Sequence, residues 1–379
     1  MIWNQTAHFG AGAIAVIPDE IAARGFTKAF VVTDAVLLES GVTARVTDLL
    51  DAAEFAYEVY SDVVPNPPIE AVQRGVAAFA TSAADVLIAV GGGSPQDTCK
   101  AIGIITTNPE FSDVRSLEGV AATKNASTPI IAVPTTAGTA SETTINYVIT
   151  DVERSRKFVC VDPHDIPILA IVDSEMMATA PRELKVATGL DALTHAIEGY
   201  TTLGAWELSD LFHLKAITTI AEALPASVDG DADAADRMAL AQYVAGMGYS
   251  NVGLGLVHGM AHPLGAFYNA PHGVANGILL APVMAFNSSQ TGEKLRDIAI
   301  AFGVEGAADM PIDAVRGATV LAIADFARGL GNPTTLREIG AKENDLPALA
   351  QAAFDDVCTG GNPREVSVEQ IRQIYASVF

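Results

Sequence analysis

The chain has 379 residues, half of them hydrophobic, and carries a formal net charge of −23. That length exceeds the usual size of a single core, so we expect two domains. The negative charge argues against nucleic acid and anionic membranes as partners, because both are bound through clustered Lys and Arg. Three widely spaced cysteines make no disulfide framework, and no apolar run approaches the roughly 20 residues of a membrane span. The N-terminal stretch lacks the pattern of a secretory signal, so we expect a cytoplasmic protein.

Residues 1–178 are predicted to form an α/β domain. Short apolar, β-rich runs alternate there with Ala-rich helical stretches, which is the pattern of an open α/β sheet. The predicted strands lie in AFVVTD, FAYEVYSDVV, DVLIAVGG, PIIAVPTT, KFVCVDP and ILAIVD.

The first of these strands ends at Asp34. In dinucleotide-binding folds an acidic side chain at such a place accepts hydrogen bonds from the adenosine ribose and repels a 2′-phosphate. Asp is also a favoured helix N-cap, and the sequence alone leaves that alternative open. If Asp34 binds the ribose, NADH is preferred over NADPH.

A glycine turn follows the strand in DVLIAVGG. Gly91, Gly92 and Gly93 end the strand, and Ser94 and Pro95 read as the start of a helix. Strand, glycine turn and helix form a phosphate cradle, because the backbone can approach closely and the helix N-terminus carries partial positive charge. Glycines also make ordinary tight turns, and this run does not match the G-x-G-x-x-G fingerprint.

A second polar turn follows the strand in PIIAVPTT. Thr135, Thr136, Thr139 and Ser141 offer hydroxyl groups and backbone donors ahead of a predicted helix, which suits an anionic or polar ligand. A plain N-cap is the alternative.

Residues 179–379 are predicted to form an all-helical domain. Ala- and Leu-rich helical stretches follow one another from Pro181, separated by DGDAD, NAPHG, SSQTG and GLGNP.

Four of the seven histidines fall in two segments of this helical domain. Asp191 and His195 lie four residues apart, as do His258 and His262, so each pair shares a helix face, and His272 follows shortly after. Imidazole and carboxylate ligands suit borderline divalent ions such as Fe, Zn, Co, Ni or Mn. A single histidine in such a helix is more often a hydrogen-bonded core residue, but two paired elements and a third histidine favour a metal site.

Several of these segments together resemble a known family. GGGSPQDTCK, PTTAGTASE, DALTHAIEGY and HGMAHPLGAFYNAPHG are similar to the iron-activated, group III alcohol dehydrogenases, and the likeness runs over almost the whole chain. The longer segments KFVCVDPHDIP, VAGMGYSNVGLGLVHG and DDVCTGGNPRE are similar to the members that act on lactaldehyde. Those members carry Phe where this chain has Tyr249, so an added hydroxyl could narrow the substrate pocket.

The resemblance implies a dinucleotide-binding α/β domain followed by an all-α metal-binding domain, the dehydroquinate synthase-like architecture. It implies an NAD-dependent dehydrogenase with Fe²⁺, or Zn²⁺, that interconverts a small aldehyde and alcohol, with lactaldehyde and 1,2-propanediol as the expected pair, in a homodimer. A glycerol dehydrogenase-like enzyme and a dehydroquinate synthase-like lyase are the alternatives.

The resemblance also assigns roles to single residues. His262 corresponds to a histidine with a proton-transfer role near the metal and the nicotinamide. Asn66 corresponds to a cofactor-loop asparagine, although a turn residue between prolines is an equal alternative. The implied metal ligands are Asp191, His195, His258 and His272. The implied cofactor-binding residues are Asp34, Asn66, Gly92, Gly93, Ser94, Asp97, Thr135, Thr136, Thr139, Asn146 and Lys157, with Lys100 as a further local cation.

Overall fold

The computed structural model describes all residues, 1–379, and the chain divides into two compact units, 1–180 and 181–379. The first unit holds every strand and the second contains only helices and their connections. The predicted fold class, an α/β domain followed by an all-helical domain, is therefore confirmed. The sequence-based boundary, between residues 178 and 179, lies two residues before the division. None of the helices combines the length and the hydrophobicity that a membrane span requires.

A six-stranded parallel sheet forms the centre of the first unit. Its strand order is β1-β9-β6-β4-β2-β3, and all five neighbouring pairs are parallel. Every residue of the central strand β4 is buried, as expected when helices cover both faces of a parallel sheet. The strands are β1 (Thr6–Phe9), β2 (Lys28–Val32), β3 (Ala56–Tyr60), β4 (Val86–Gly91), β6 (Ile130–Pro134) and β9 (Leu169–Val172).

A second, three-stranded sheet departs from the sequence-based prediction. It consists of β5 (Gly119–Val120), β7 (Asn146–Asp151) and β8 (Arg156–Val161), in the order β5-β8-β7. KFVCVDP was expected in the open sheet, but it forms β8, which pairs antiparallel with β7. The helix predicted after Ser141 is wrong as well, because only a 3₁₀ turn, Ser141–Thr143, precedes β7. The β-branched residues of TTINYVIT favour a strand there.

Six helices complete the first unit. The most important for the site is α5 (Gly93–Thr107), which is separated from the end of β4 by Gly92 alone. The helices are α1 (Ile17–Arg24), α2 (Ala35–Glu39), α3 (Ala44–Ala52), α4 (Ile69–Ser82), α5 (Gly93–Thr107) and α6 (Ser174–Met177).

The second unit is a helical assembly around the long, largely buried helix α7. Neighbouring helices approach α7 closely at its glycines, since a Cβ at Gly189 would lie 2.2 Å from Leu224 Cδ1 and one at Gly199 would lie 2.3 Å from His213 Nε2. The helices are α7 (Arg182–Thr201), α8 (Glu207–Val228), α9 (Ala232–Val252), α10 (Leu256–Tyr268), α11 (His272–Asn287), α12 (Lys294–Phe302), α13 (Ile312–Gly329), α14 (Leu346–Phe354) and α15 (Val368–Ser377).

His213 is a fully buried histidine in the core of the second unit. Its ring lies between Gly199 of α7 and Gly248 of α9, where a Cβ on either glycine would come within 2.3 Å of His213 Nε2. Neither ring nitrogen has a hydrogen-bond partner within the protein. Burial penalises the charged imidazolium and lowers the pKa of His213 to about 3.

His213 should therefore make the protein less stable in mild acid. In the unfolded chain His213 is protonated below the ordinary histidine pKa of about 6.5, whereas in the folded chain it is protonated only below about pH 3. The free energy of unfolding therefore decreases as pH falls through this window. At about pH 5 the expected cost is roughly 2 kcal/mol. Urea unfolding near neutral pH and near pH 5 should show a smaller pH effect in His213→Leu than in the unmodified protein. Equal pH effects in both proteins would contradict this expectation.

Candidate active site

One face of α7 carries three polar side chains in a buried environment. Asp191, His195 and Glu198 are spaced by four and three residues, so they lie along one side of the helix over two turns. All three are nearly fully buried, with exposed fractions of 2 to 5%. Buried ionisable groups of this kind are retained where they pair with one another or bind a ligand.

Helices α10 and α11 bring four more polar side chains to the same place. His258 and His262 lie one turn apart on α10, and His272 and Asn276 lie one turn apart at the start of α11. The histidine rings contact one another, with centroids 5.2 Å apart for His258 and His272 and 5.4 Å for His262 and His272. The histidines that the sequence separates by up to 77 positions are thus neighbours of Asp191 and His195.

Asp191 lies within 4 Å of each of the other three predicted metal ligands, and the ligand atoms of Asp191, His195 and His258 all lie within 4.8 Å of one another. Asp191 Oδ2 lies 3.9 Å from His195 Nδ1, and Asp191 Oδ1 lies 3.8 Å from His258 Nε2 and 3.6 Å from His272 Nε2. Donor atoms bound at about 2.0–2.2 Å from one cation are roughly 3–4 Å apart, so these separations suit a shared divalent ion. One carboxylate and three imidazoles also suit Fe²⁺ or Zn²⁺ chemically. The side chains present therefore fit the metal that the sequence predicts.

Two further residues hold these ligands in position, and neither was singled out from the sequence. Glu198 Oε2 lies 2.6 Å from His258 Nδ1, so His258 donates there and turns Nε2 toward Asp191. Asn276 Nδ2 donates to Asp191 Oδ1 at 2.7 Å. Burial opposes a charge on His258, but Glu198 and then Asp191 outweigh it and raise the pKa of His258. Their positions could have been found from helical spacing, because Glu198 follows His195 by three residues and Asn276 follows His272 by four.

His262 has a carboxylate partner from a distant part of the chain. Its Nδ1 lies 2.8 Å from Oδ2 of Asp356, and both side chains are largely buried. Asp356 Oδ1 accepts from the backbone N–H of Cys358 at 2.9 Å and so caps the 3₁₀ helix Val357–Gly361. No helical spacing links residues that are 94 positions apart, so this pair could not be predicted from sequence periodicity.

Tyr249 of α9 also belongs to this cluster. Its ring stacks on that of His195, with centroids 4.3 Å apart and an angle of 9° between the planes. Tyr249 thus lies beside a predicted metal ligand. Its effect on a substrate pocket stays a prediction.

Gly273 lets α11 approach α7 closely enough to bring His272 to the cluster. A Cβ at Gly273 would lie 2.1 Å from the backbone oxygen of Ala187 and 3.2 Å from the Cβ of Asp191. Backbone cannot yield as a flexible side chain can, so Gly273→Ala should separate the two helices and reduce bound metal. Gly317→Ala is the matched control, because a Cβ at this exposed position in α13 would meet nothing within 4 Å. Metal analysis of the purified variants checks this, and full occupancy in Gly273→Ala would contradict it.

In the first unit, the two polar turns follow adjacent strands. The glycine turn follows β4 and the threonine turn follows β6, and Thr135 N donates to Gly91 O at 3.2 Å. A Cβ at Gly92 would lie 3.0 Å from Thr136 Oγ1, and one at Gly93 would lie 3.0 Å from Thr139 Cγ2. The glycines thus allow the turns to touch. Carboxyl edges of parallel strands are the usual place for a dinucleotide.

The structure gives Asp34 and Asp97 contacts within the protein. Asp34 Oδ1 accepts from Leu37 N at 2.9 Å, so the N-cap that the sequence left open is present. Asp97 accepts from Ser141 Oγ at 2.8 Å and from Val148 N at 3.0 Å, which ties α5 to the second turn and to β7. Burial raises the pKa of Asp97 to about 6. Direct contact of either carboxylate with a cofactor stays a prediction.

The remaining predicted cofactor residues lie on or beside the small sheet. Asn66 precedes Pro67, whose carbonyl accepts from Thr150 N at 2.9 Å, and Thr150 pairs with Lys157 across β7 and β8. Asn66 and Lys157 are therefore near one end of this ladder, and Asn146 starts β7 at the other end.

Lys100 does not face a ligand. Its ammonium donates to the Thr144 carbonyl at 2.6 Å, to the Thr144 hydroxyl at 3.0 Å and to the Asn146 carbonyl at 2.9 Å. These three acceptors use all three N–H groups of a fully buried lysine. The suggestion that Lys100 helps to hold a pyrophosphate is therefore wrong, and its contacts instead fix the start of β7.

Comparisons with known proteins agree with this arrangement. Residues 4–174 match "Iron-containing alcohol dehydrogenase", and residues 185–379 match "Fe-containing alcohol dehydrogenase family, C-terminal". The chain belongs to the iron-containing alcohol dehydrogenase family. It is 61% identical over 379 residues to the lactaldehyde reductase of Escherichia coli K12, covering 100% of this chain and 99% of the relative.

Two solved structures illustrate the likeness of the fold. The crystal structure of 1,3-propanediol oxidoreductase has a TM-score of 0.96 at 36% identity and covers 100% of this chain and 99% of its own. Sulfoacetaldehyde reductase from Bifidobacterium kashiwanohense, solved in complex with NAD⁺, has a TM-score of 0.85 at 27% identity with the same coverage. The chain is thus an oxidoreductase of the iron-type alcohol dehydrogenases, and the predicted family and enzyme class are confirmed.

Proposed function

We propose that this alcohol dehydrogenase interconverts lactaldehyde and 1,2-propanediol with NADH and NAD⁺, using one Fe²⁺ ion. The observation that carries the proposal is the cluster of Asp191, His195, His258 and His272 in a chain 61% identical to a lactaldehyde reductase over its full length. The complete ligand set of one carboxylate and three imidazoles favours this enzyme over a glycerol dehydrogenase-like one. Zn²⁺ could occupy the same donors, because it binds such N/O sites more tightly than Fe²⁺.

The proposed reduction consumes lactaldehyde, NADH and one proton, and yields 1,2-propanediol and NAD⁺. When bound, the divalent ion supplies Lewis-acid activation of a carbonyl group and NADH supplies the hydride. Glu198 keeps the Nε2 atom of His258 directed toward Asp191, and Asn276 fixes one oxygen of Asp191. Asp356 accepts the Nδ1 proton of His262, which leaves Nε2 of His262 to exchange the proton of the alcohol.

The cofactor is assigned to the two turns of the first unit. Gly92, Gly93 and Ser94 would hold the pyrophosphate at the N-terminus of α5, where backbone N–H groups favour an anion. Thr136 supports this assignment, because its hydroxyl has no hydrogen-bond partner within the protein. The other residues assigned to the cofactor are Asp34, Asn66, Asp97, Thr135, Thr139, Asn146 and Lys157.

The experiment that tests the function is NADH oxidation by protein purified without oxygen. Lactaldehyde, glycolaldehyde and dihydroxyacetone are compared at matched concentrations, with metal content measured on the same samples. We expect the highest kcat/KM with lactaldehyde. A higher value with dihydroxyacetone would favour the glycerol dehydrogenase-like alternative, and no turnover with any of the three would contradict the proposal.

Asp34 should decide the choice between NADH and NADPH. Replacement by Gly costs an N-cap only a few tenths of a kcal/mol, whereas loss of the carboxylate removes repulsion of a 2′-phosphate. We expect Asp34→Gly to raise kcat/KM for NADPH relative to NADH. Asp231→Gly is a matched control, because Asp231 caps α9 by accepting from Ala234 N at 2.7 Å in the other unit. An unchanged ratio in Asp34→Gly would remove Asp34 from the cofactor site.

The homodimeric state and the cytoplasmic location expected from the sequence stay predictions. Sedimentation of the purified protein would test the first of them.

A further inference from the structure

A second group of metal-binding side chains lies beside the predicted iron ligands. His262, Asp356 and Cys358 offer a nitrogen, a carboxylate oxygen and a sulfur that all lie within 4.8 Å of one another. Asp356 links the other two, since it accepts from His262 Nδ1 at 2.8 Å and from the backbone N–H of Cys358 at 2.9 Å. Nothing in the proposed reaction uses the thiol of Cys358.

The local sequence explains why these side chains meet. Gly259 lies one turn before His262 on α10, and a Cβ there would come within 2.1 Å of Thr359 Oγ1. The absence of that Cβ lets the 3₁₀ helix Val357–Gly361 lie directly on α10. Asp356 caps this short helix, and Cys358 follows two residues later, so both side chains face the same part of α10.

The electrostatic surroundings of Cys358 favour a cation. Burial, followed by the charges of Asp356 and Glu198, raises the pKa of the Cys358 thiol well above its ordinary value. The thiol alone is therefore a poor nucleophile at neutral pH. The same negative field stabilises a divalent cation that replaces the thiol proton, because a metal-bound thiol is deprotonated outright.

The donor set also differs from that of the iron site. Asp191, His195, His258 and His272 offer only nitrogen and oxygen, whereas the second group includes sulfur. Cysteine, histidine and carboxylate together are typical zinc ligands, and three of them leave a fourth position for water. A thiolate also selects zinc over harder ions such as Mg²⁺ or Ca²⁺.

We propose that His262, Asp356 and Cys358 form a second divalent-cation site, selective for Zn²⁺ and chemically similar ions, that inhibits the enzyme when it is filled. The cation binds the Asp356 carboxylate, the Cys358 sulfur and Nδ1 of His262. The thiol proton goes to solvent and the imidazole proton moves to Nε2, and no electrons are transferred. With Nδ1 bound to the cation and its only proton on Nε2, His262 can no longer accept a proton from the alcohol, and giving its own proton to the reduced product would leave an imidazolate. The inhibitory consequence rests on the proposed function, but the site itself does not.

Cobalt is the probe, because a thiolate bound to Co²⁺ gives an intense charge-transfer absorption in the near ultraviolet that nitrogen and oxygen ligands lack. Protein holding one equivalent of Co²⁺ is titrated anaerobically with a second equivalent. We expect the band to appear only with the second equivalent, and added Zn²⁺ to abolish it while the first cobalt ion stays bound. In Cys358→Ser the band should be lost and the bound metal should fall from two equivalents to one. Cys160→Ser is the matched control and should keep the band, because Cys160 is a buried thiol of β8 in the other unit.

Three results would overturn the second site. These are no band with excess Co²⁺, a band that persists in Cys358→Ser, and a band that forms with the first equivalent. Asp356→Asn is a second variant, which keeps the thiol. It should lower the affinity for the second equivalent of Co²⁺ and leave binding of the first unchanged. The band does not depend on turnover. Lactaldehyde reduction is therefore measured at one equivalent of Co²⁺ and again as the band grows, and we expect it to fall as the second equivalent binds. No reduction at one equivalent would contradict only the proposed function, absence of the band would contradict only the second site, and undiminished reduction with the band fully formed would contradict the inhibition.

Discussion

Removal of the divalent ion is expected to abolish lactaldehyde reduction, and Fe²⁺ returned without oxygen is expected to restore it. The physical reason is that hydride adds slowly to a carbonyl group that no Lewis acid or strong hydrogen-bond donor polarises. NADH oxidation is measured before chelation, after it and after reconstitution. Full activity in a sample shown to contain no metal would contradict the assignment.

Replacement of a single predicted ligand should lower metal occupancy only in part. The side chain of His272 is 26% exposed, against 2 to 6% for the other three ligands, so His272→Ala opens the site to water without burying an unpaired charge. We expect lower metal occupancy and correspondingly lower activity. His164→Ala is a suitable control, because His164 is a partly exposed histidine of the first unit that contacts Thr123. Undiminished metal content in His272→Ala would show that His272 is not a ligand.

The predicted metal ligands could be paired from the sequence because helical periodicity acts over short distances. Asp191 with His195 and His258 with His262 share a helix face whenever the segment is helical, so their spacing alone placed each pair together. The meeting of α7, α10 and α11 could not be derived in this way. It depends on close helix contacts such as that of Gly273 with the Ala187 backbone, and a glycine in a helical segment does not reveal which neighbour it admits.

The errors in the sequence-based prediction of the fold have a similar origin. β8 was correctly expected to be a strand. Its residues alternate between buried and less buried positions, but such a pattern indicates only that a segment is extended and not which sheet it joins. β7 was missed because the hydroxyl-rich segment before it reads equally as the N-terminus of a helix. Strand pairing is a tertiary property, and Lys100 illustrates this, since its buried ammonium fixes the start of β7 through contacts 44 and 46 residues away.

The polar residues around the ligands were the least predictable part of the site. Glu198 and Asn276 share helices with ligands, so periodicity could have found them. Asp356 lies after α14, and only the fold brings it to His262. The structure was therefore needed to find the partner of His262, and such a partner decides which ring nitrogen of a histidine is protonated.

The contact between His262 Nδ1 and Asp356 predicts how substitution of either residue changes kcat. A proton relay contributes roughly 10²–10⁴-fold to turnover, so His262→Ala should lower kcat by a factor in that range while most of the metal stays bound. Collapse of the metal content together with the rate would instead make His262 a ligand. Rate and metal content are measured on the same samples.

Asp356→Asn separates the relay from the local fold. The asparagine can still cap the 3₁₀ helix by accepting from Cys358 N, because Asn and Asp are comparable N-caps. Its amide no longer carries the charge that holds the proton on Nδ1 of His262, and an N–H directed at Nδ1 favours the tautomer protonated on Nε2. We therefore expect Asp356→Asn to lower kcat with little change in thermal stability or in iron content. If kcat is unaffected, the orientation of His262 does not depend on Asp356, and proton exchange must use another group.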